Sequence, residues 1–478
     1  MIKKMFCALF MIPFVTNAQL RKLPTEFDTW LNSKGMRHAT VSLEISRLNS
    51  DETEPVVLYK YDNERSVQPA SVMKLITTSA ALSLLDPKMT IPTEIYYRGS
   101  IEEGTLDGDI IIRGYGNALL GSSRSSFPKD SFVNSVLLSI KKAGITSVAG
   151  NIIGDGTILT QSPIPSEWTW EDMGNHYAPS LSGLNYGDNM YEIILNTSKK
   201  GQKPKVVKVE PDVEDLVIDN QLMSVDYPFD SAYVYGAPYQ NTRTLLGAVP
   251  HKLPQFTLKG DVPDPAKFTA SVILNALESN GIDVKGNTIS LASADEVDYE
   301  KCNLLYRHNS ENLSFIAKQT NVFSVNMFAE MLLRQISLNN GDGSETDGII
   351  AVQKFLRSKG LDLDGIRMFD GCGLAPADRV TTHFIVSLLN KMQSNQDFIK
   401  SFAIAGKTGT VYSFLKNTRL DGHARLKTGT TKAVIAYSGY VEGSDGKTYA
   451  VSFIVNNHSC VSSLVRKNIE KMFLLLIP

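Results

Sequence analysis

Pro69-Ala70-Ser71-Val72-Met73-Lys74-Leu75-Ile76-Thr77-Thr78-Ser79-Ala80-Ala81-Leu82-Ser83-Leu84-Leu85 is the stretch on which the fold turns. It is nearly apolar, and Lys74 is its one charge. A helix with so few charges belongs at the centre of its domain. Pro69 stands before its start and Asp86-Pro87 ends it. Ser71 and Lys74, three residues apart, share one face, so the amine can sit beside the hydroxyl. A serine hydroxyl is a weak nucleophile until a base takes its proton. Burial and neighbouring cations bring a lysine into the range where it can do so. The helix N-terminus also favours negative charge developing nearby. Ser-x-x-Lys recurs at Ser126, Ser139, Ser413 and Ser444, as chance supplies. The Pro-Ala lead-in and the long apolar helix set Ser71 apart; the plain alternative is a helix-capping serine.

Working outward, Ser324-Val325-Asn326 heads the apolar run Met327-Phe328-Ala329-Glu330-Met331-Leu332-Leu333. A serine there can relay protons and an asparagine can bind a substrate amide; the same spacing at Ser310 and Ser337 shows how little the tripeptide says alone. Lys-Thr-Gly occurs at Lys407 and Lys427. The chemistry wants it on a strand lining a cleft, with the lysine fixing negative charge, the threonine binding a carboxylate, and the glycine admitting substrate close to the backbone. Lys427-Thr428-Gly429-Thr430 runs into the apolar segment Val434 to Val441, whereas Lys407-Thr408-Gly409-Thr410 runs into a segment without that hairpin. Lys427 is therefore the expected site lysine, with Lys407 as the alternative; the plain reading of Lys407 is a loop near the cleft. Three weak motifs in this chain order outweigh any one of them.

The flanks suggest a mixed α/β (α+β) fold. Ala39 to Ser46 and Pro55 to Tyr61 read as strands. Asn312 to Leu338, Gly348 to Lys359, Val380 to Ser394 and Val461 to Leu476 read as helices, and Val434 to Val441 with Thr448 to Asn456 as a hairpin. One antiparallel sheet with helices on its faces accommodates them. Between about 91 and 300 the texture changes to short β pieces such as Gly108 to Arg113, Gly150 to Asp155, Val206 to Val209 and Ala232 to Tyr235, interrupted by helices near Ser131 to Ala143 and Pro265 to Asn280. The expected division is a catalytic domain of 19–90 plus 301–478 with a mostly-β insertion at 91–300.

Met1-Ile2-Lys3-Lys4, the apolar run to Val15 and Thr16-Asn17-Ala18 read as a secretory signal over 1–18, with an uncleaved anchor as the alternative. The run is too short to span a bilayer. About 460 residues remain, enough for two or more domains. A formal charge of −2 gives no electrostatic case for nucleic acid. Cys302, Cys372 and Cys460 follow the leader; they allow one bridge or three buried thiols and fit no zinc module. The seven histidines show no ligand spacing, so neither metal nor cofactor is expected.

With these segments in place, the sequence resembles the class C low-molecular-mass penicillin-binding proteins, the D-alanyl-D-alanine carboxypeptidase/endopeptidase family. Pro69 to Leu75 resembles that family's nucleophile segment, and Ser324-Val325-Asn326 with Ala329-Glu330 its second motif. Asp370-Gly371-Cys372-Gly373-Leu374 resembles its Asp-Gly-Ser-Gly-Leu loop, with Cys372 in place of the serine. Ala405 to Thr410 resembles its Ala-Gly-x-Asp-Gly-Thr segment, and the long gap between Ser71 and Ser324 is where the family carries inserted domains. Gly150 to Asp155 and Trp168 to Asp172 also match, while Arg113 to Asn117 matches a Gly-Gly-Asp-Pro stretch only loosely. The resemblance implies a penicillin-binding/β-lactamase-like transpeptidase fold acting on peptidoglycan stem peptides outside the cytoplasm, inhibited by β-lactams, with a loose membrane association left open. It implies Ser71 as nucleophile, Lys74 as general base, Ser324 as proton relay assisted by Lys427, and Asn326, Thr428, Gly429 and Thr430 as substrate-binding. The amides of Ser71 and Thr430 would hold the oxyanion. Competing readings are a β-lactamase or esterase on the same fold, or a non-catalytic wall-binding homologue.

Overall fold

The computed structural model describes residues 20–478 apart from 52, 160, 161, 229 and 340, so the expected leader lies outside the described residues. An antiparallel six-stranded sheet runs, in spatial order, Ala403–Ile404, Ala424–Thr431, Val434–Glu442, Thr448–Asn456, Thr40–Arg47 and Val56–Tyr61. Side chains alternate across a strand, so a doubly covered strand feeds two cores. Ile435, Tyr437, Val451, Phe453 and Val455 pack with Val465, Ile469, Met472 and Phe473 of the C-terminal helix Ser462–Leu476. Ala436, Tyr440, Ala450 and Ile454 face the other way, onto Leu75, Ile76, Met327, Phe328 and Leu332. The apolar helix Met73–Leu84 lies in this second core with residues 73–82 all buried, as its composition predicts.

Three expectations are corrected. Asn312 to Leu338 is not one helix: Leu313–Phe323 ends at Ser324, whose φ of 59° is left-handed, and Asn326–Leu338 starts afresh. A left-handed residue stops a helix, and the uninterrupted apolar pattern hides the break. Lys427-Thr428-Gly429-Thr430 does not merely lead into a strand but lies within one, Ala424–Thr431, paired with Val434–Glu442 in register Lys427 to Ser438. The cysteines are neither bridged nor all buried: Cys302, Cys372 and Cys460 are free, and only Cys372 is fully buried.

The expected β pieces between 91 and 300 form their own sheets. Pro92–Glu102 and Thr105–Gly114 make a hairpin within a seven-stranded sheet covered by the helices Ser131–Lys142 and Pro265–Ser279. Asn303–Asn309 pairs with Pro92–Glu102, so this sheet takes in chain beyond the expected boundary at 300. Two three-stranded sheets, one of them containing Tyr233–Tyr235, and a two-stranded pairing of Met223–Val225 with Ala248–Pro250 complete the described part of the region.

Candidate active site

The nucleophile segment turns before it becomes helical. Ala70 has a left-handed φ of 47°, and Ala70–Val72 form a 3-10 turn leading into Met73–Leu84. Strained backbone of this kind persists where its surroundings over-determine it. Here Gly373 permits it: a Cβ at Gly373 would stand 1.9 Å from the Ala70 carbonyl oxygen. The turn leaves Ser71 partly exposed at the floor of a cavity of about 1780 Å³, while Lys74 is fully buried beneath it.

Lys74 Nζ lies 2.9 Å from Ser71 Oγ, 2.6 Å from Asn326 Oδ1 and 2.8 Å from the Cys372 carbonyl oxygen. Burial pulls the Lys74 amine below the ordinary lysine range, opposed by the nearby acidic groups of Cys372, Asp370, Glu330 and Asp378. Asn326 Nδ2 donates to the Tyr177 carbonyl 2.8 Å away, which fixes the amide so that its oxygen faces Lys74. On the other side, Lys427 Nζ donates to Ser324 Oγ at 2.7 Å and to the Thr428 carbonyl at 2.8 Å. Burial, then the Lys74 charge, pushes Lys427 well below the usual lysine value. The structure thus brings all the sequence-predicted site residues to one place. It holds Lys407 apart from them, 2.9 Å from Asp421 and largely exposed.

The strand carrying Lys427 offers a binding edge. The Ala424 carbonyl accepts from Ala405 N on the side of Ala403–Ile404, and the His423 carbonyl accepts from Glu442 N on the opposite side. Alternation then aims the backbone groups of Thr428 and Thr430 toward the cleft. Among the described residues, Ala403–Ile404 covers this edge only at Arg425 and Leu426. An extended peptide can therefore add to the rest of it as a strand. Gly429 serves a purpose beyond the expected one: a Cβ there would meet the Pro69 carbonyl oxygen at 2.5 Å and Ala70 Cβ at 3.2 Å. The glycine lets the nucleophile turn, rather than only substrate, approach the strand.

Sequence reasoning missed the groups behind these residues. Asp370 accepts from the amides of Cys372, Gly373, Leu374 and Ala375 and from Trp168 Nε1, so it shapes the loop that grips Lys74. Glu330 accepts from Gly371 N, and burial beside Asp370 pushes its carboxyl up to about 8. Thr428 Oγ1 lies 2.9 Å from Thr410 Oγ1, so the second Lys-Thr-Gly copy props up the first. Arg466, on the C-terminal helix, donates to Thr430 Oγ1 at 3.1 Å. No local pattern marks Arg466; the others fall in segments that carried the resemblance, Asp370 in the Asp-Gly-x-Gly-Leu loop, Glu330 after the second motif and Thr410 at the end of Ala405 to Thr410.

A family model of the D-Ala-D-Ala carboxypeptidase 3 (S13) family matches residues 27–476. The chain belongs to that family. Membership bears out the class C penicillin-binding resemblance and the fold class. The S13 chain is 26% identical over 460 residues to a D-alanyl-D-alanine carboxypeptidase of Actinomadura sp. (strain R39), covering 93% of this chain and 82% of the relative. It is 24% identical over 419 residues to the D-alanyl-D-alanine carboxypeptidase DacB of Haemophilus influenzae, covering 84% and 83%. The crystal structure of penicillin binding protein 4 from Haemophilus influenzae superposes with a TM-score of 0.78 at 22% identity, over 92% of this chain and 94% of that one.

Proposed function

We propose that the protein is a serine D-alanyl-D-alanine carboxypeptidase and endopeptidase that acts on peptidoglycan through an acyl-enzyme and is acylated by β-lactams. The observation that carries this is the placing of Lys74 Nζ 2.9 Å from Ser71 Oγ in a buried setting that favours the neutral amine. Neutral Lys74 takes the Ser71 proton as Oγ attacks the carbonyl of the penultimate D-alanine. The amides of Ser71 and Thr430 receive the oxyanion. Ser324, hydrogen-bonded to Lys427, passes a proton to the leaving amine, and the bond to the terminal residue breaks. Asn326 aligns the peptide, Thr428 and Thr430 take the terminal carboxylate, and water then releases the acyl group from Ser71. Export after Ala18 to the periplasm or another extracytoplasmic space, with at most a loose hold on the membrane, belongs to this reading. Among the described residues no helix is long and apolar enough to cross a membrane.

The test is intact-mass analysis after penicillin treatment, with the modified residue mapped, beside hydrolysis of a D-Ala-D-Ala peptide. A long-lived adduct on Ser71, lost together with hydrolysis in Ser71→Ala, is expected. Rapid turnover of penicillin without an adduct would make the protein a lactamase. Neither adduct nor hydrolysis would make it a non-catalytic wall protein.

A further inference from the structure

At the rim of the cavity stands a row of three aromatic rings that the acylation chemistry does not use. Trp170 is 60% exposed, whereas Trp30 and Trp168 are each at 6%. Its ring centroid lies 5.9 Å from that of Tyr235 with 31° between planes, and Tyr235 lies 6.1 Å from Tyr233 at 42°. Tyr233 lines the same cavity as Ser71. Lys432, just past the Lys-Thr-Gly strand, stands 5.8 Å over the Tyr233 ring and binds both Glu171 oxygens, at 2.7 and 2.6 Å.

The row is fixed relative to the nucleophile. Trp168 Nε1 is tied at 2.9 Å to Asp370, the carboxylate that orders the loop gripping Lys74. Asn175 Nδ2 holds the Glu171 carbonyl at 2.9 Å, and Asn175 Oδ1 accepts from Val234 N at 3.1 Å, which joins Trp170 and the Tyr233–Tyr235 strand into one unit. A surface set in place before binding loses little freedom when a ligand arrives.

A row of rings that runs from the half-buried Tyr233 and Tyr235 out to the exposed Trp170 marks a binding surface. A wholly apolar partner would strip water from Glu171 and Lys432 without replacing its hydrogen bonds, which is costly. A sugar ring meets both demands: its C–H face packs on an aromatic ring, and its hydroxyl and acetamido groups bond to the charged neighbours. The row is continuous with the cavity that would take the stem peptide, and that peptide hangs from a glycan. Resting on the peptidase reading above, we infer that Trp170, Tyr235 and Tyr233 form a docking platform for the hexosamine backbone of peptidoglycan. The enzyme thereby reads the glycan as well as the peptide.

The experiment compares the full-length exported protein with its Trp170→Ala and Tyr235→Ala variants on two substrates: a free D-Ala-D-Ala stem pentapeptide, and that peptide on its disaccharide. The platform raises KM for the disaccharide-peptide by about fivefold or more in each variant and leaves the free peptide and penicillin acylation unchanged. In parallel, a peptide-free tetrasaccharide of N-acetylglucosamine and N-acetylmuramic acid shifts the Trp170 emission of the parent protein, and more weakly in Tyr235→Ala. Equal loss on both substrates, or no loss on either, overturns the platform. A parent protein that neither cleaves the free peptide nor is acylated defeats the peptidase reading instead.

Discussion

Replacing Gly429 by alanine tests how closely two parts of the site must approach. The new Cβ would lie 2.5 Å from the Pro69 carbonyl oxygen, with Ala436 Cβ at 3.1 Å and Ala70 Cβ at 3.2 Å. The shortest contact involves backbone, so no flexible side chain can swing clear. The strand and the nucleophile turn must part by something approaching 1 Å. A displacement of about 1 Å in reacting geometry costs about 10²-fold in rate, or roughly 2.7 kcal/mol of barrier. Gly429 has no left-handed φ, so alanine adds no backbone strain of its own. Overpacking costs about 1–3 kcal/mol in stability, a few degrees of Tm at most in a chain this large. The assay is the second-order rate of penicillin acylation, followed by a labelled β-lactam, with Tm measured alongside. An acylation rate near the parent value would refute the idea that the turn is held against this strand. So would a loss that matches the fraction unfolded.

The buried carboxyl of Glu330, raised from 4.5 to about 8, binds more protons folded than unfolded. Its stabilising contribution is therefore present below about 4.5 and lost as pH climbs through about 8. Glu330→Gln should match the parent Tm near pH 4.5 and exceed it near pH 9, as read by thermal melts across that range. Because burial lowers the Lys74 pKa, the acid limb of the acylation rate should fall below the titration of a free lysine, which a pH–rate profile checks. Arg466→Gln should raise KM for a peptide ending in a free carboxylate by about tenfold and leave the C-terminal amide of the same peptide unaffected. Cys372, fully buried, should resist iodoacetamide in the native protein while Cys302 and Cys460 react, as peptide mapping would show.

What could be read from the sequence was what short-range pattern encodes. The charge-poor run after Ser71 announces a central helix, and the apolar runs Val434–Glu442 and Thr448–Asn456 with the polar turn between them announce a hairpin, which the structure buries on both faces. Choosing Lys427 over Lys407 needed only the apolar segment that follows it. The remainder lay in backbone geometry and distant contacts. Ala70 and Ser324 take left-handed conformations that neither residue type advertises. Ser324 breaks what reads as one continuous helix because apolar periodicity does not register a single residue's φ. Arg466 reaches Thr430 only because the last helix crosses the sheet beside it. The reason for Gly429 lies in Pro69, hundreds of residues earlier.

The arrangement of the central sheet also governs timing. Thr40 stands opposite Asn456 and Arg47 opposite Tyr449, so the first long strand is seated against nearly the last. A polypeptide made amino end first cannot complete this pairing until almost all of it has been synthesised. Ser71 is made early but stays unarmed, because the strand bearing Lys427 arrives late. The hydrolase is thus switched on by the end of its own synthesis, and a chain cut short before the closing hairpin would be inert.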